Sequence, residues 1–143
     1  MKVLAVSISE RKGIKKHPVE YIELIEDYGI DGDAHAGKWH RQVSLLGVES
    51  MEAMKEKLPE LSAGDFAENI LTEGIVLYKL PIGTILKVGE CTLKVTQIGK
   101  ECHLGCEIRH IVGDCVMPRE GIFTKVIKGG KIKAEDKIEI VKK

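Results

Sequence analysis

Three cysteines stand close together in the last third of the chain, at positions 102, 106 and 115. A thiol acts as a nucleophile or as a soft metal ligand only when it is a thiolate, and a neighbouring cation favours that form. Lys100 and His103 flank Cys102, and the segment follows a predicted strand, a rigid element from which loops commonly present reactive groups. Cys102 is therefore the leading candidate for a reactive or metal-ligating residue.

The same cluster is compatible with two other kinds of chemistry. Cys102, His103, Cys106 and Cys115 could form a tetrahedral Cys₃His zinc site, for which the spacing argues only weakly because it contains one close cysteine pair. Alternatively, Cys102 and Cys106 could form a reversible disulfide, or Cys106 could resolve a persulfide or sulfenate on Cys102. The fourth cysteine, Cys91, lies in a predicted strand and is interpreted as a small packing residue.

A second polar segment, residues 30–42, contains two glycines, two histidines and an arginine between two predicted strands. The glycines would let the backbone approach a ligand, while His35, His40 and Arg41 would donate hydrogen bonds to a phosphate or another oxyanion. A surface loop whose aspartates stabilise turns explains the same residues equally well. Spacing alone therefore leaves both interpretations open.

Two further residues are weaker candidates for the same pocket. Asn69 is an amide in apolar surroundings, where it could bind a ligand, although fixing a turn is the favoured interpretation. Arg119 stands between a rigid proline and a flexible glycine, which could bring it towards the pocket. A loop with a surface arginine is at least as good an explanation.

The composition indicates one domain over residues 1–143. Because 22 basic and 22 acidic side chains cancel, neither nucleic-acid binding nor membrane adsorption is expected as the main activity. The apolar start is interrupted at Glu10, too early for a signal-peptide core or a membrane span. A cytoplasmic location is expected, in which the cysteines are thiols, ligands or redox groups rather than structural disulfides.

Short runs rich in Val, Ile, Leu and Thr, separated by glycine-containing turns, predict a mainly β fold of barrel or sandwich type. Tight turns at Gly89-Glu90 and Gly129-Gly130 predict two hairpins. The spacing from Val48 to Leu58 predicts a helix, and a shorter helix is suggested over Leu104 to Val112. The predicted strands are Val3 to Ser9, Val19 to Glu26, Gln42 to Leu46, Thr84 to Val88, Thr92 to Ile98, Ile122 to Lys128 and Lys137 to Val141.

Taken in order, several segments resemble the MOSC domain family, named for the carboxy-terminal domain of molybdenum cofactor sulfurases, and especially its small free-standing prokaryotic members. The resemblance covers almost the whole chain. One departure is Ala134-Glu135-Asp136, where such proteins often have a glycine before the aspartate. The segments that carry the resemblance are Gly32 to Gly37, Trp39 to Leu46, Phe66 with Glu68 to Ile70, Val88 to Leu93, Gly99 to Cys102, and Cys115 to Phe123.

The resemblance implies a MOSC-type β-barrel with a few short helices, whose hallmark cysteine falls on Cys102. It implies a domain that carries sulfur as a cysteine persulfide, or that binds the molybdenum cofactor with Cys102 as the metal ligand. Cys106 and Cys115 would then be assisting thiols in the pocket. The candidates for binding the phosphate of the cofactor are His35, Arg41, Asn69, Lys100 and Arg119.

The resemblance also bears on partners and on alternative functions. No pyridoxal-phosphate desulfurase domain is recognised in the sequence, so a partner cysteine desulfurase is expected to load any persulfide. Proteins of molybdenum cofactor biosynthesis, or molybdoenzymes, are the other expected partners. Two alternatives are kept: a molybdenum-cofactor-dependent reductase of N-hydroxylated compounds, which relatives imply, and a non-enzymatic zinc-binding module.

Overall fold

The computed structural model describes residues 1–11, 16–54, 62–99 and 120–142. These residues contain eleven strands, one α-helix and one 3₁₀ helix, so the prediction of a mainly β fold is confirmed. The elements, in chain order, are β1 (Lys2–Ile8), β2 (His17–Val19), β3 (Tyr21–Ile25), β4 (Gly29–Ile30), β5 (Val43–Gly47), α1 (Val48–Met54), β6 (Ile70–Glu73), the 3₁₀ helix (Leu77–Lys79), β7 (Ile85–Val88), β8 (Cys91–Ile98), β9 (Ile122–Lys128), β10 (Gly130–Lys133) and β11 (Ile138–Lys142).

The strands form two sheets around one apolar core. The larger sheet has the order β11-β7-β8-β9-β5-β6-β1-β2, and the smaller has the order β10-β3-β4. Within the larger sheet β5 and β6 run parallel, and its other neighbouring strands run antiparallel. Both sheets bury side chains in the same core, including Val3, Ile30, Leu45, Leu93 and Ile132.

The larger sheet curves until β1 meets the chain just before β11. Lys2 and Lys137 form an isolated antiparallel bridge, and the amide of Val3 donates to the carbonyl of Asp136 at 2.8 Å. Glu135, at the position where the resemblance implies a glycine, adopts a positive φ of 76°, a conformation that glycine adopts without steric cost. Closure of the strands into a continuous barrel stays a prediction.

The hairpin predicted at Gly89-Glu90 is confirmed by the antiparallel pairing of Val88 with Cys91. The hairpin predicted at Gly129-Gly130 is wrong, because β9 and β11 are not paired and β10 instead pairs with β3 of the smaller sheet. A Cβ on Gly129 would lie 2.3 Å from the carbonyl oxygen of Leu24. Glycine is therefore needed here for close approach to β3, rather than for a two-residue turn.

Four strands have no counterpart of their own in the sequence prediction: β2, β4, β6 and β10, of which β2 meets the predicted strand Val19 to Glu26 only at Val19. Each is two to four residues long, too short to show a periodic pattern, and the first three residues of β6 are buried without alternation. β6 is held between β5 and β1. Its existence depends on those neighbours rather than on its own pattern.

The helix predicted from Val48 begins at that residue, and α1 is described as far as Met54. Met51 is buried in the core. Residues 55–61 and the helix suggested over Leu104 to Val112 lie outside the described residues. Within the described ranges, no helix is long and apolar enough to cross a bilayer.

Candidate functional site

The predicted site residues fall into two groups. His35, His40, Arg41 and Asn69 are described by the structure, whereas the thiol segment lies outside the described residues. That second group comprises Lys100, Cys102, His103, Cys106, Cys115 and Arg119.

Gly99 and Gly121 flank the thiol segment in the chain, and we call this pair the root of the segment. Two neighbouring strands, β8 and β9, hold it in place. The antiparallel pairing of β8 with β9 continues to Ile98 and Ile122, where β8 ends and β9 begins. One residue further out, the amide of Gly99 donates to the carbonyl of Gly121 at 2.7 Å. The residues on either side of segment 100–120, Gly99 and Gly121, are therefore held together at one place in the sheet.

The side chain of Gln97 joins this root to the polar segment 30–42. Its Oε1 accepts a hydrogen bond from Arg41 Nε at 3.0 Å and lies 2.8 Å from His40 Nε2. Its Nε2 donates to the carbonyl of Gly99 at 2.6 Å. Because the amide oxygen is an acceptor, His40 Nε2 must carry a proton and donate. Gln97 thus bridges two donors of the polar segment and the backbone that leads to Cys102.

A bulge in β8 places Gln97 in this position. The register with β9 shifts between Val95 and Gln97, which leaves Thr96 without a partner across the ladder, as is typical of β-bulges near functional sites. The Thr96 hydroxyl lies within hydrogen-bonding distance of the carbonyl oxygens of His40 and Phe123. The bulge therefore also fastens the polar segment to the sheet.

Arg41 is held in a way that suits recognition of an anion. Its guanidinium carbon lies 5.3 Å from the centre of the Phe123 ring, a cation–π distance. Its Nε is used by Gln97, so the Nη edge is the part of the guanidinium that can form the paired hydrogen bonds which phosphate and carboxylate oxygens accept. Its orientation is set by Gln97 and Phe123 before any ligand binds.

His35 belongs to a separate network built on a buried ion pair. Lys16 Nζ lies 2.7 Å from Asp33 Oδ1, and neither side chain is exposed to solvent. Lys16 Nζ also lies 3.2 Å from Ser9 Oγ and 3.1 Å from His35 Nδ1. Asp33 accepts the backbone amides of Ser9 and His35, each at 3.1 Å. The network fixes His35 through both its backbone and its ring.

The Trp39 indole separates this network from the Gln97 network. Its Nε1 donates to the carbonyl of His35 at 2.7 Å, and its ring lies parallel to the imidazole of His35 with centroids 6.3 Å apart. Among the described residues, the ring of His40 also packs against the indole, in an edge arrangement at 70° with centroids 5.8 Å apart. The structure thus brings His40 and Arg41 together, and places His35 beyond Trp39.

Asn69 lies in the interior, where only 1% of its surface is exposed. Its Oδ1 accepts the amide and hydroxyl of Ser44, at 3.0 and 3.1 Å, and its Nδ2 donates to the carbonyl of Ser7 at 3.1 Å. These bonds tie together β1, β5 and the residue before β6. The geometry favours the structural interpretation given to Asn69, that of fixing the backbone.

Two buried charged groups, Lys16 and Glu68, were not among the predicted site residues. Lys16 is the last of four basic residues at positions 11–16. Such a run is typical of an exposed surface, so the pattern predicts a solvated side chain. Glu68 is 1% exposed, and burial raises its pKa to about 7 although the amides of Gly64 and Phe66 donate to it. For Glu68 the apolar neighbours Phe66 and Ile70 were the available signal.

Cys91 is a core residue with no exposed surface. Burial, with smaller effects from Glu90 and Asp136, raises the pKa of its thiol to about 12. This agrees with its interpretation as a packing residue. Across the described ranges, no three His, Cys, Asp or Glu side chains converge in a way that would hold a metal ion.

We expect Cys91 to resist alkylation in the folded protein. A pKa raised from 9.0 to about 12 reduces its thiolate population by about a thousandfold at neutral pH, and the thiolate is the nucleophile. Iodoacetamide treatment followed by peptide mass spectrometry should show Cys91 modified only after denaturation. In the matched variant Cys91→Ala, labelling of the native protein should be unchanged. Rapid native labelling of the Cys91 peptide would contradict this result.

The comparisons with known proteins agree with this architecture. A family model described as the MOSC domain matches residues 32–139. A search of curated proteins finds no match. Among solved structures, the YuaD protein from Bacillus subtilis has a TM-score of 0.80 at 18% identity, over 96% of this chain and 93% of that chain.

Two YiiM structures are also similar in fold. YiiM from Geobacillus stearothermophilus has a TM-score of 0.76 at 18% identity, over 98% of this chain and 74% of that one. YiiM from Escherichia coli has a TM-score of 0.70 at 21% identity, over 100% of this chain and 71% of that one. At these identities the structures show the fold alone. Since the family model covers most of the chain, this protein belongs to the MOSC domain family.

Proposed function

We propose that this domain acts in sulfur transfer or molybdenum cofactor metabolism, with Cys102 as persulfide carrier or as molybdenum ligand. Family membership supports the general role. The observation that carries the specific proposal is the network in which Gln97 links His40 and Arg41 to Gly99, at the root of the segment that holds Cys102.

We infer that the Cys102 thiol lies near this network, because only two residues separate Cys102 from Gly99. Cys102 follows Gly99 by three residues, so their Cα atoms can be no more than about 11 Å apart. The Arg41 guanidinium belongs to the group that fixes Gly99 through Gln97. A permanent cation in this region favours the thiolate form of a nearby cysteine, which is the form that accepts sulfur or binds a soft metal.

The donors at this end of the sheet also fit the cofactor. Arg41 offers the guanidinium edge that suits a phosphate, and His35 lies in the same polar segment beyond Trp39. Lys100 and Arg119 are the further phosphate donors we propose, with Cys106 and Cys115 as assisting thiols. When bound, the molybdenum cofactor would supply a redox-active metal for which the Cys102 thiolate is a suitable soft ligand.

Sulfur transfer requires a donor protein, for which we propose a cysteine desulfurase. The Cys102 thiolate would attack the terminal sulfur of the persulfide on the desulfurase. The sulfur–sulfur bond of the donor breaks, the donor cysteine leaves as a thiolate, and the persulfide is now on Cys102. No external oxidant is needed, because the sulfane sulfur keeps its oxidation state.

The test is sulfur loading of the full chain. Incubation with a cysteine desulfurase and cysteine should add the mass of one sulfur atom, located on the Cys102 peptide. Cys102→Ser should lose the adduct, whereas Cys91→Ala, the matched buried-thiol control, should keep it. In parallel, protein expressed in a cofactor-competent host should be assayed for molybdenum and pterin. Protein that carries neither the adduct nor the cofactor would overturn the proposal.

A further inference from the structure

The buried ammonium of Lys16 has an unusual acceptor in the ring of His35. Among the described residues, three acceptors lie close to Lys16 Nζ: Asp33 Oδ1 at 2.7 Å, His35 Nδ1 at 3.1 Å and Ser9 Oγ at 3.2 Å. The side chains of Lys16 and Asp33 are fully buried, while a fifth of the His35 side chain is exposed. The ring of His35 therefore connects a solvent-free ion pair to the surface of the site.

The chemistry of the ammonium group determines the tautomer of His35. A lysine ammonium has only donors, so the contact with His35 is a hydrogen bond only if Nδ1 is the acceptor. The proton of the neutral imidazole must then be on Nε2. A protonated Nδ1 would instead direct its hydrogen at a cation 3.1 Å away.

In the part of the chain that the structure describes, Asp33 is a second charged group that faces the His35 ring. Its Oδ2 lies 3.9 Å from His35 Nδ1 and accepts the backbone amide of His35 at 3.1 Å. With Lys16 in place, the carboxylate is paired with the ammonium. Without the ammonium, the carboxylate would be an acceptor close to Nδ1 and would favour a proton there, which would reverse the tautomer.

We propose that Lys16 is a positioning residue that holds His35 as the neutral Nε2–H tautomer, so that the ring offers a hydrogen-bond donor to an acceptor oxygen of an anionic ligand. The tautomer follows from the Lys16 contacts alone. That the ligand is a phosphate-bearing cofactor rests on the proposed function. The two claims are separable by experiment.

The tautomer is measured by two-dimensional NMR that correlates ring nitrogens with ring protons, using the full chain labelled with nitrogen-15 at neutral pH. His35→Gln identifies the signals of His35 among the five histidines. In the wild type, Nδ1 should resonate as an unprotonated ring nitrogen and Nε2 as a protonated one. In Lys16→Met, the Nδ1 signal should shift towards the protonated range.

Ser9→Ala is the matched control, because it removes another acceptor of Lys16 and leaves the Lys16–His35 contact in place. It should retain the wild-type His35 pattern. If Lys16→Met does not fold, the wild type still decides: a protonated Nδ1 on His35 overturns the proposal. A folded Lys16→Met with the wild-type pattern also overturns it.

Recognition of an oxyanion is tested with inorganic phosphate as the probe. Titration of the wild type should shift the Nε2 resonance of His35 saturably, and Lys16→Met should reduce this shift. No change at Nε2 would overturn the donor role towards oxyanions. Neither measurement involves Cys102, sulfur or molybdenum. Both can therefore give the expected result when sulfur loading fails, and sulfur loading can succeed when they do not.

Discussion

Lys16→Met is expected to lower the free energy of unfolding by about 3–5 kcal/mol, measured by urea denaturation at neutral pH. The ammonium is fully buried against Asp33 at 2.7 Å. Removing it leaves a buried carboxylate with its Coulombic partner lost, and the desolvation cost of that charge is then uncompensated. The methionine keeps the length and apolar stem of the side chain, so lost packing contributes little.

A double-mutant cycle separates the ion pair from general damage. Asp33→Asn alone should also destabilise the protein, because it leaves a buried cation, whereas Lys16→Met with Asp33→Asn should lose less than the sum of the two single changes. Lys2→Met is the exposed control: Lys2 pairs with Glu135 at 3.1 Å on the surface, where an ion pair contributes little. A loss in Lys16→Met no larger than in Lys2→Met would contradict the prediction.

The contribution of Glu68 to the stability of the wild type is expected to fall as the pH rises through the interval from about 4.5 to about 7. Burial raises the pKa of this carboxyl from 4.5 to about 7. In that interval the folded protein retains a proton that the unfolded chain has released, so raising the pH favours the unfolded state. A difference of this size corresponds to about 3 kcal/mol between the two ends of the interval.

Glu68→Gln isolates this contribution, since glutamine has a similar shape and does not titrate. Urea denaturation of both proteins at several pH values in this interval should show that the wild type loses stability relative to Glu68→Gln as the pH rises. The other titrating groups are common to both proteins and cancel in this comparison. Parallel stability curves would show that Glu68 ionises in the folded protein as it does in the unfolded chain.

The elements that could be predicted from the sequence are those specified by local patterns. β9 is observed with its predicted bounds, Ile122–Lys128, and the β7–β8 hairpin is present at Gly89-Glu90. Both depend on residues that are close in the chain: a run of β-branched side chains, or a glycine at a tight turn. The failure at Gly129-Gly130 has the opposite cause, because β10 pairs with β3 more than a hundred residues earlier.

The candidate site shows the same division. Residue types alone identified the thiol segment and the donors His35, His40 and Arg41, because thiols, imidazoles and guanidinium groups have intrinsic chemistry. The arrangement of these donors depended on the tertiary structure. Gln97 meets His40 and Arg41 across more than fifty residues, and no local pattern encodes such a contact.

The sequence by itself determined the β-rich class, the polar segment and the position of Cys102 just beyond a strand, since composition and short-range spacing carry that information. Only the tertiary structure decided that Lys16 is buried rather than solvated. Whether a lysine faces water depends on what packs over it, and here Asp33 lies 17 residues away. That contact makes Lys16 a structural cation, and it determines which nitrogen of His35 carries the proton.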